Sequence, residues 1–243
     1  MKKVFKLSAA VVACSERTKN VAIDFGANAA NSHVLFTINL ANLGPIQKDI
    51  ARKKINLNDG KILLTVGRLV ERKGHDMVLK SLPKIIKKFP NVKYIIGGEG
   101  PYKHRLQELI QELDLNKSVI FLGHISDDEL PYYYSAADIF ISPNRELPSG
   151  EIEGLGIVFL EAAACGTTSI AGKSGGTESA VIHKKTGLLV DPHNVNEITT
   201  AMTSLLDDCK LRETMEEAGL KRVNDIGNID LLIKSVEQMH LKF

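Results

Sequence analysis

The sequence predicts an α/β protein with a doubly wound parallel sheet, and two observations support this fold class. From residue 61 onward, short apolar segments alternate with longer helix-like segments through most of the chain. Strands that alternate with such helices form right-handed βαβ units, which build a parallel sheet covered on both faces. The 243 residues are 44% hydrophobic, which is enough for a sizeable core. We therefore expect one doubly wound domain of about six strands.

The elements of this domain follow one another in order, each strand closed by turn residues and followed by a helix. The strands are predicted at residues 61–66, 93–96, 119–122, 138–142, 169–171 and 187–190. The helices are predicted at residues 74–88, 102–113, 127–136, from about 157, 195–206, 211–221 and 229–241. At the third helix, Ser126 and Glu129 have the spacing of a capping box.

The start of the chain is organised differently. Short strands at 9–14 and 33–36 flank a helix that opens at Ser15 or the next residue. This segment has the form of the closing part of another domain. We therefore expect a remnant of an N-terminal domain with a linker over residues 1–58, and the main domain over residues 59–243.

The first residues also resemble a lipoprotein signal, because Lys2 and Lys3 precede an apolar run that ends at Cys14. Lys6 interrupts that run and leaves it short for a signal sequence, so a strand followed by a helix is the favoured interpretation. No stretch approaches the length of a transmembrane helix. The expected location is the cytoplasm, with peripheral attachment to the inner face of the membrane as an open alternative.

Charge and cysteine usage exclude several classes of function. The net charge is +2, from 31 basic and 29 acidic residues, so no global field favours nucleic acid. Cys14, Cys165 and Cys209 lie far apart without a CxxC pair or a His/Cys cluster. We therefore expect no metal site and no nucleic-acid partner.

Residues 149–166, SGEIEGLGIVFLEAAACG, are the most informative stretch. A glycine-rich loop before a helix from about Ile157 offers unpaired backbone N–H groups, which hold phosphates or sugar hydroxyls. Glu161 has apolar neighbours on both sides, so we expect a buried carboxylate that needs hydrogen-bond donors such as ribose hydroxyls. The alternative is an ordinary buried helix with Glu153 as a capping acid and Glu161 as a satisfied core residue.

With its glycine-rich turn and its two glutamates separated by seven intervening residues, this stretch resembles glycosyltransferase family 4, the retaining group 1 nucleotide-sugar transferases. The resemblance implies the C-terminal donor-binding domain of the two-domain GT-B fold. It implies that Glu153 is the catalytic residue that touches the transferred sugar, together with Gly154 and Leu155. It further implies that Gly156 and Ile157 contact the donor diphosphate and that Glu161 binds the ribose.

Four further loops match this family in order. Arg68 and Lys73 follow the first strand and resemble the pair that neutralises the diphosphate, although a solvated basic turn is the alternative. Gly98 and Ile125 follow the next two strands and resemble base contacts. Residues 174–178 resemble a loop near the sugar.

The resemblance implies a hexosyltransferase that uses a UDP-sugar or GDP-sugar, with no cofactor. The sequence has no Asp-x-Asp pair, which favours cations over a metal at the diphosphate. The acceptor is expected to be lipid-linked or a saccharide. No counterpart of the family's acceptor loop and catalytic histidine precedes residue 61, so the chain is expected to bind donor without normal transfer alone. The alternative functions are a nucleotide-sugar-binding module that needs a separate acceptor-binding partner chain, and an inactive truncated remnant. The expected protein partner is an acceptor domain or, in a homo-oligomer, a second copy of this chain.

Overall fold

The computed structural model describes residues 2–36, 38–57 and 59–227, together with Ile233 and Glu237. Its strands are β1 (Val11–Ala13), β2 (Ser32–Val34), β3 (Ile62–Val66), β4 (Lys93–Gly97), β5 (Val119–Gly123), β6 (Ile139–Ser142), β7 (Ser169–Gly172) and β8 (Gly187–Val190). Its α-helices are α1 (Lys2–Leu7), α2 (Glu16–Asp24), α3 (Lys48–Lys54), α4 (His75–Lys88), α5 (Lys103–Glu112), α6 (Leu130–Ala136), α7 (Ile157–Ala164), α8 (Thr177–Ala180), α9 (Val195–Asp207) and α10 (Cys209–Ile226).

The strands from β3 to β8 form one six-stranded sheet in the order β5-β4-β3-β6-β7-β8, and every neighbouring pair is parallel. The chain builds outward from β3 and then restarts on the other side at β6. This reversal of strand order defines a doubly wound sheet, so the predicted fold class is confirmed. The crevice between β3 and β6 lies at the point of reversal.

The central strands supply residues to two hydrophobic clusters on opposite faces of the sheet. Leu63 and Ile96 belong to the cluster under α4, α5 and α9. Ile62, Leu64 and Ile95 belong to the cluster under α3, α6 and α7. Successive side chains of a strand point to opposite faces, which explains why these strands are continuous apolar runs. Each such fully buried side chain stabilises the fold by about 2 kcal/mol.

A small separate unit precedes this sheet, in which β1 and β2 pair in parallel. Ser15 caps α2: its hydroxyl accepts from the N–H of Thr18 at 3.2 Å, and the hydroxyl of Thr18 accepts from the N–H of Ser15 at 3.0 Å. The predicted helix start is confirmed. The helix α3 lies before the predicted domain boundary at residue 58, yet it packs against α6 and buries Ala51.

The predicted capping box at Ser126 and Glu129 is wrong. Glu129 is itself the N-cap of α6 and makes no side-chain cap hydrogen bond. The Ser126 hydroxyl donates instead to the Glu129 carboxylate at 2.8 Å. Pro131 lies in the first turn of α6, where its fixed φ and missing N–H favour the start of a helix. The proline therefore explains why the helix begins later than residue 127.

Three short helices, α1, α3 and α8, were not predicted, because segments of this length carry too little apolar periodicity to be recognised. The helix predicted at 229–241 lies outside the described residues apart from Ile233 and Glu237. Within the described part of the chain, no helix is both long enough and apolar enough to cross a membrane.

Candidate functional site

The loops that follow β3 to β7 lie along the carboxyl edge of the sheet, where doubly wound proteins bind ligands. Backbone hydrogen bonds tie the first of these loops together. The N–H of Gly67 donates to the Gly97 carbonyl at 2.9 Å, and the N–H of Gly98 donates to the Gly123 carbonyl at 2.6 Å. These contacts join the loops after β3, β4 and β5, which carry Arg68, Lys73, Gly98 and Ile125.

The cation loop, residues 67–74, connects β3 to α4. It ends in a 3-10 turn, Glu71–Lys73, which is closed by Gly74 at a φ of 74°. A Cβ at Gly74 would lie 2.2 Å from the Pro143 carbonyl oxygen, so only glycine allows this close approach to the loop after β6. Because Gly74 lies so close to Pro143, the preceding residue, Lys73, has its side chain buried next to the loop after β6.

Glu153 is the meeting point of three side chains. It belongs to the Glu153 loop, defined as residues 149–156, which leads into α7. Its Oε2 atom accepts from Lys73 Nζ at 2.6 Å, from Arg72 Nη1 at 2.6 Å and from Asn144 Nδ2 at 3.0 Å. All three donors converge on one oxygen. Among the described residues, Oε1 has no hydrogen-bond partner, which leaves this atom able to accept from a ligand.

These contacts keep the Glu153 carboxylate ionised. Burial raises its pKa, but the charges and hydrogen bonds of Lys73 and Arg72 together outweigh burial and hold the pKa below its usual range. The Glu153 side chain is only 12% exposed, so water screens these charges weakly. The site therefore presents two cations and one fixed negative charge within a single cluster.

The loop after β7 holds the backbone of the Glu153 loop. The N–H of Gly176 donates to the Glu153 carbonyl at 2.7 Å. A Cβ at Gly175 would lie 2.3 Å from that carbonyl oxygen, and a Cβ at Gly176 would lie 1.9 Å from the Gly154 carbonyl oxygen. The two glycines therefore allow residues 174–178 to pack directly on the backbone of the predicted sugar contacts.

The first turn of α7 begins directly after the Glu153 loop. Gly156 is its N-cap and has a φ of 83°, in the left-handed region that glycine favours. Within the described ranges, the backbone N–H groups of Leu155, Gly156 and Ile157 donate to no acceptor. Such unpaired groups at the positive end of a helix dipole attract anions.

Arg145 stabilises the cation loop through hydrogen bonds from its side chain and its backbone. Its guanidinium donates to both Asp76 oxygens, at 3.0 and 3.2 Å, and to Glu71 at 3.3 Å. Its backbone N–H donates to the Arg72 carbonyl at 2.8 Å. Because Arg145 and Asp76 are both buried, this pair fixes the turn that presents Arg72 and Lys73.

His75 is fully buried at the start of α4, immediately after the cation loop. In the described structure neither ring nitrogen has a hydrogen-bond partner. Burial is the main cause that lowers the pKa of His75 to about 4; Lys73 and Arg145 lower it further and Asp76 partly opposes them. The imidazole is therefore neutral at physiological pH and adds no charge beside the cations.

Glu161 differs from the prediction of a buried carboxylate, because it is only half-buried. The helix α7 is not covered all round, and Ile157 at its start is 46% exposed. The Tyr134 hydroxyl donates to Glu161 Oε2 at 2.6 Å. Burial and the adjacent Glu161 charge raise the pKa of Tyr134 well above its usual value, which keeps this hydroxyl protonated as the donor.

The remaining residues predicted to contact a ligand are Arg68, Gly98 and Ile125, and they differ in exposure and in what they pack against. The Arg68 side chain is exposed and, in the described part of the chain, has no hydrogen bond or ion pair. Gly98 has a φ of 124° and approaches the Gly67 backbone so closely that an added Cβ would lie 2.0 Å from its carbonyl oxygen. Ile125 is 7% exposed, and its Cδ1 packs against Gly97. Packing between strands thus accounts for much of the glycine and isoleucine pattern there.

A cavity of about 410 Å³ opens beside the Glu153 loop. Its walls combine the cation loop, the Glu153 loop, the start of α7 and two residues that precede the main sheet. The lining residues are Cys14, Ile38, Lys73, Glu153, Gly154, Leu155, Gly156, Ile157 and Val158. Six residues predicted to bind a ligand, Lys73, Glu153, Gly154, Leu155, Gly156 and Ile157, therefore line one cavity.

Several residues of this site were not predicted from the sequence. Asn144 and Arg145 lie two and three residues after the end of β6, so the rule that ligands gather at strand ends could have identified them. Arg72 is adjacent to Lys73, but its direction depends on the 3-10 turn. Tyr134 carries no signal, because it is one of three consecutive tyrosines.

Comparison with known proteins identifies the family of this chain. The model of the family "Glycosyl transferases group 1" matches residues 47–222. A GDP-mannose-dependent alpha-(1-6)-phosphatidylinositol monomannoside mannosyltransferase of Mycolicibacterium smegmatis is 38% identical over 198 residues, which are 80% of this chain and 52% of that enzyme. A D-inositol 3-phosphate glycosyltransferase of Pseudarthrobacter chlorophenolicus is 30% identical and is matched over 45% of its length. The chain spans about half the length of the curated relatives it matches.

Solved structures give the same result for the fold. Sucrose-phosphate synthase from Thermosynechococcus elongatus superposes with a TM-score of 0.85 at 29% identity, over 99% of this chain and 60% of that chain. HepE of Anabaena, solved in complex with UDP, has a TM-score of 0.87 at 20% identity, over 99% of this chain and 65% of that chain. Both neighbours have the GT-B fold, and this chain matches their C-terminal half. The chain therefore belongs to the glycosyl transferases group 1 family.

Proposed function

We propose that this chain carries the donor-binding half of a retaining glycosyltransferase that moves a hexose from a nucleoside-diphosphate sugar to an acceptor. One observation carries the proposal. Glu153, ionised and held by Lys73 and Arg72, stands beside unpaired backbone N–H groups in the same cavity. A leaving diphosphate needs cations and N–H donors, whereas a transferred sugar needs hydroxyl acceptors.

The diphosphate is assigned to the side of the cavity that has positive potential. Lys73 Nζ is the buried cation there, and the N–H groups of Gly156 and Ile157 lie at the N-terminus of α7. Arg68 is exposed at the rim and is long enough to turn toward a bound phosphate. As the glycosidic bond breaks, these groups would stabilise the charge that grows on the leaving oxygen.

The sugar is assigned to the Glu153 loop. Glu153 Oε1 has no partner in the described structure and can accept from a sugar hydroxyl, while Gly154 allows close approach of its backbone and Leu155 also lines the cavity. Glu161, aligned by Tyr134, is assigned to the ribose hydroxyls. Gly98 and Ile125 are assigned to the base at the adjacent strand ends.

GDP-mannose is the first donor to test, because the mycolicibacterial relative is named as GDP-mannose-dependent. UDP-glucose is the second, because the Anabaena structure contains UDP. The name of the mycolicibacterial relative includes a phosphatidylinositol monomannoside, so a lipid-linked acceptor is favoured over a soluble saccharide. Such an acceptor fits an enzyme that acts in the cytoplasm at the inner face of the membrane.

Isothermal titration calorimetry of the purified chain with GDP, GDP-mannose, UDP and UDP-glucose tests the proposal. We expect micromolar binding of one nucleotide and its sugar, at about −8 kcal/mol. No binding of any of the four ligands would contradict the proposal. Donor binding without product in a transfer assay would favour a nucleotide-sugar-binding module that acts with a separate acceptor-binding chain.

A further inference from the structure

Ser15 joins the small N-terminal unit to the candidate site. It lies between β1 and α2 and has no exposed surface. Its hydroxyl donates to the Gly154 carbonyl at 2.6 Å, across 139 positions of sequence. The acceptor belongs to the Glu153 loop and is adjacent to the glutamate itself.

The loop backbone is enclosed from two sides at this point. A Cβ at Gly176 would lie 1.9 Å from the Gly154 carbonyl oxygen and 2.8 Å from Ser15 Oγ. The carbonyl is therefore held between the hydroxyl of Ser15 and the backbone of Gly176. Two further contacts secure the start of α2: the N–H of Glu16 donates to Ser179 Oγ at 3.2 Å, and Arg17 lies 4.0 Å from Glu146.

We infer that Ser15 is a positioning residue for the Glu153 loop, an inference that rests on the proposed function. Ser15 touches no reacting group itself. Glycines at 154 and 156 give the loop many backbone conformations, and an anchored carbonyl selects one of them. That conformation points the Glu153 carboxylate at Lys73 and presents the N–H groups of Leu155 and Gly156 to the cavity. The N-terminal unit thus controls the geometry of the sugar subsite from outside the main domain.

A role limited to capping α2 is the competing explanation, and two substitutions separate the roles. Ser15→Gly removes the hydroxyl that donates to Gly154, whereas glycine at an N-cap costs only a few tenths of a kcal/mol. Thr18→Val removes the reciprocal half of the capping box, in which Thr18 accepts from the N–H of Ser15. It also removes the 3.0 Å contact between Thr18 Oγ1 and Ser15 Oγ, but it leaves both partners of the hydrogen bond from Ser15 to Gly154 in place.

Hydrogen exchange of the ligand-free protein is the first measurement. In Ser15→Gly we expect the amides of Gly176 and Phe159, which donate to the carbonyls of Glu153 and Gly156, to exchange about fivefold faster, the effect of one lost hydrogen bond. In Thr18→Val these amides should keep the wild-type rate, while amides in α2 exchange faster. Equal exchange rates at Gly176 and Phe159 in the wild type and Ser15→Gly would overturn the inference. So would equal acceleration in both variants.

Calorimetry with GDP-mannose, GDP, UDP-glucose and UDP is the second measurement. For the sugar nucleotide that the wild type binds, Ser15→Gly should lower the affinity, and this loss should be about fivefold larger than the loss for the matching free diphosphate. Thr18→Val should lower neither affinity. Unchanged sugar-nucleotide binding in Ser15→Gly would also overturn the inference. If the wild type binds none of the four ligands, the proposed function fails, and the exchange rates still decide whether Ser15 anchors the loop.

Discussion

Lys73 Nζ lies 2.6 Å from Glu153 Oε2, although the two residues are 80 positions apart in the sequence. Lys73 ends the turn after β3, and Glu153 belongs to the loop after β6, so the pair spans the point where strand order reverses. The contact joins the predicted phosphate side of the cavity to the predicted sugar side. A change to either residue should therefore affect both halves of a bound donor, but to different degrees.

Lys73→Ala should weaken binding of the free nucleoside diphosphate about thirtyfold, because a charged contact contributes about 2 kcal/mol. Calorimetry on the folded variant measures this loss. Lys84→Ala is the matched control, since Lys84 lies on α4 and contacts Asn196 at an exposed site. Unchanged affinity in Lys73→Ala would remove the diphosphate assignment.

Glu153→Gln should weaken binding of the intact sugar nucleotide about tenfold, while binding of the free diphosphate should be almost unaffected. The amide keeps the shape of the side chain but loses the charge that Lys73 and Arg72 neutralise. Their positive potential toward a diphosphate should not fall. Glu151→Gln, an exposed change in the same loop, serves as the control. Equal weakening of both ligands would show that Glu153 supports the loop or the nucleotide instead of the sugar.

The fold was predictable because buried parallel strands are continuous apolar runs that their helices cover on both faces. The glycine-rich turn before α7 was predictable for a similar reason, since few residue types permit its backbone. Side-chain partners across loops were not predictable. Whether Arg68 or Arg72 turns toward Glu153 depends on the geometry of a 3-10 turn. That geometry is set by the contact between Gly74, next to the turn, and Pro143, which is far away in sequence.

Tyr134→Phe should weaken binding of GDP or UDP about fivefold, because Glu161 loses the hydroxyl that orients it toward the ribose. Pyrophosphate, which has no ribose, should bind the variant and the wild type alike. Calorimetry with both ligands makes the comparison. Tyr132→Phe is the control, since Tyr132 is half-buried in the same helix. Equal loss for pyrophosphate would indicate general loosening instead of a ribose contact.

Stability should fall with acidity through His75. Its pKa is about 4 in the folded chain and about 6.5 when unfolded, so the unfolded chain binds more protons below about pH 6.5. The contribution of His75 to the free energy of unfolding is constant above that pH. As the pH falls toward 4, the free energy of unfolding decreases progressively, and the decrease is about 2 kcal/mol at pH 5. Urea unfolding at several pH values measures the slope.

His75→Leu removes both unpartnered ring nitrogens and should flatten this slope. The exposed change His193→Gln should leave the slope as it is in the wild type. A wild-type slope in His75→Leu would assign the acid sensitivity to other groups.

The position of Cys14 in the cavity wall supplies a built-in chemical reporter. Cys14 and Cys209 are exposed, whereas burial raises the pKa of Cys165 to about 12 and makes that thiol inert. A bound molecule would shield Cys14 from iodoacetamide but not Cys209, which begins α10 and is not among the residues that line the cavity. The ratio of the two alkylated peptides in one mass spectrum would then give cavity occupancy directly, with no labelled sugar and no acceptor.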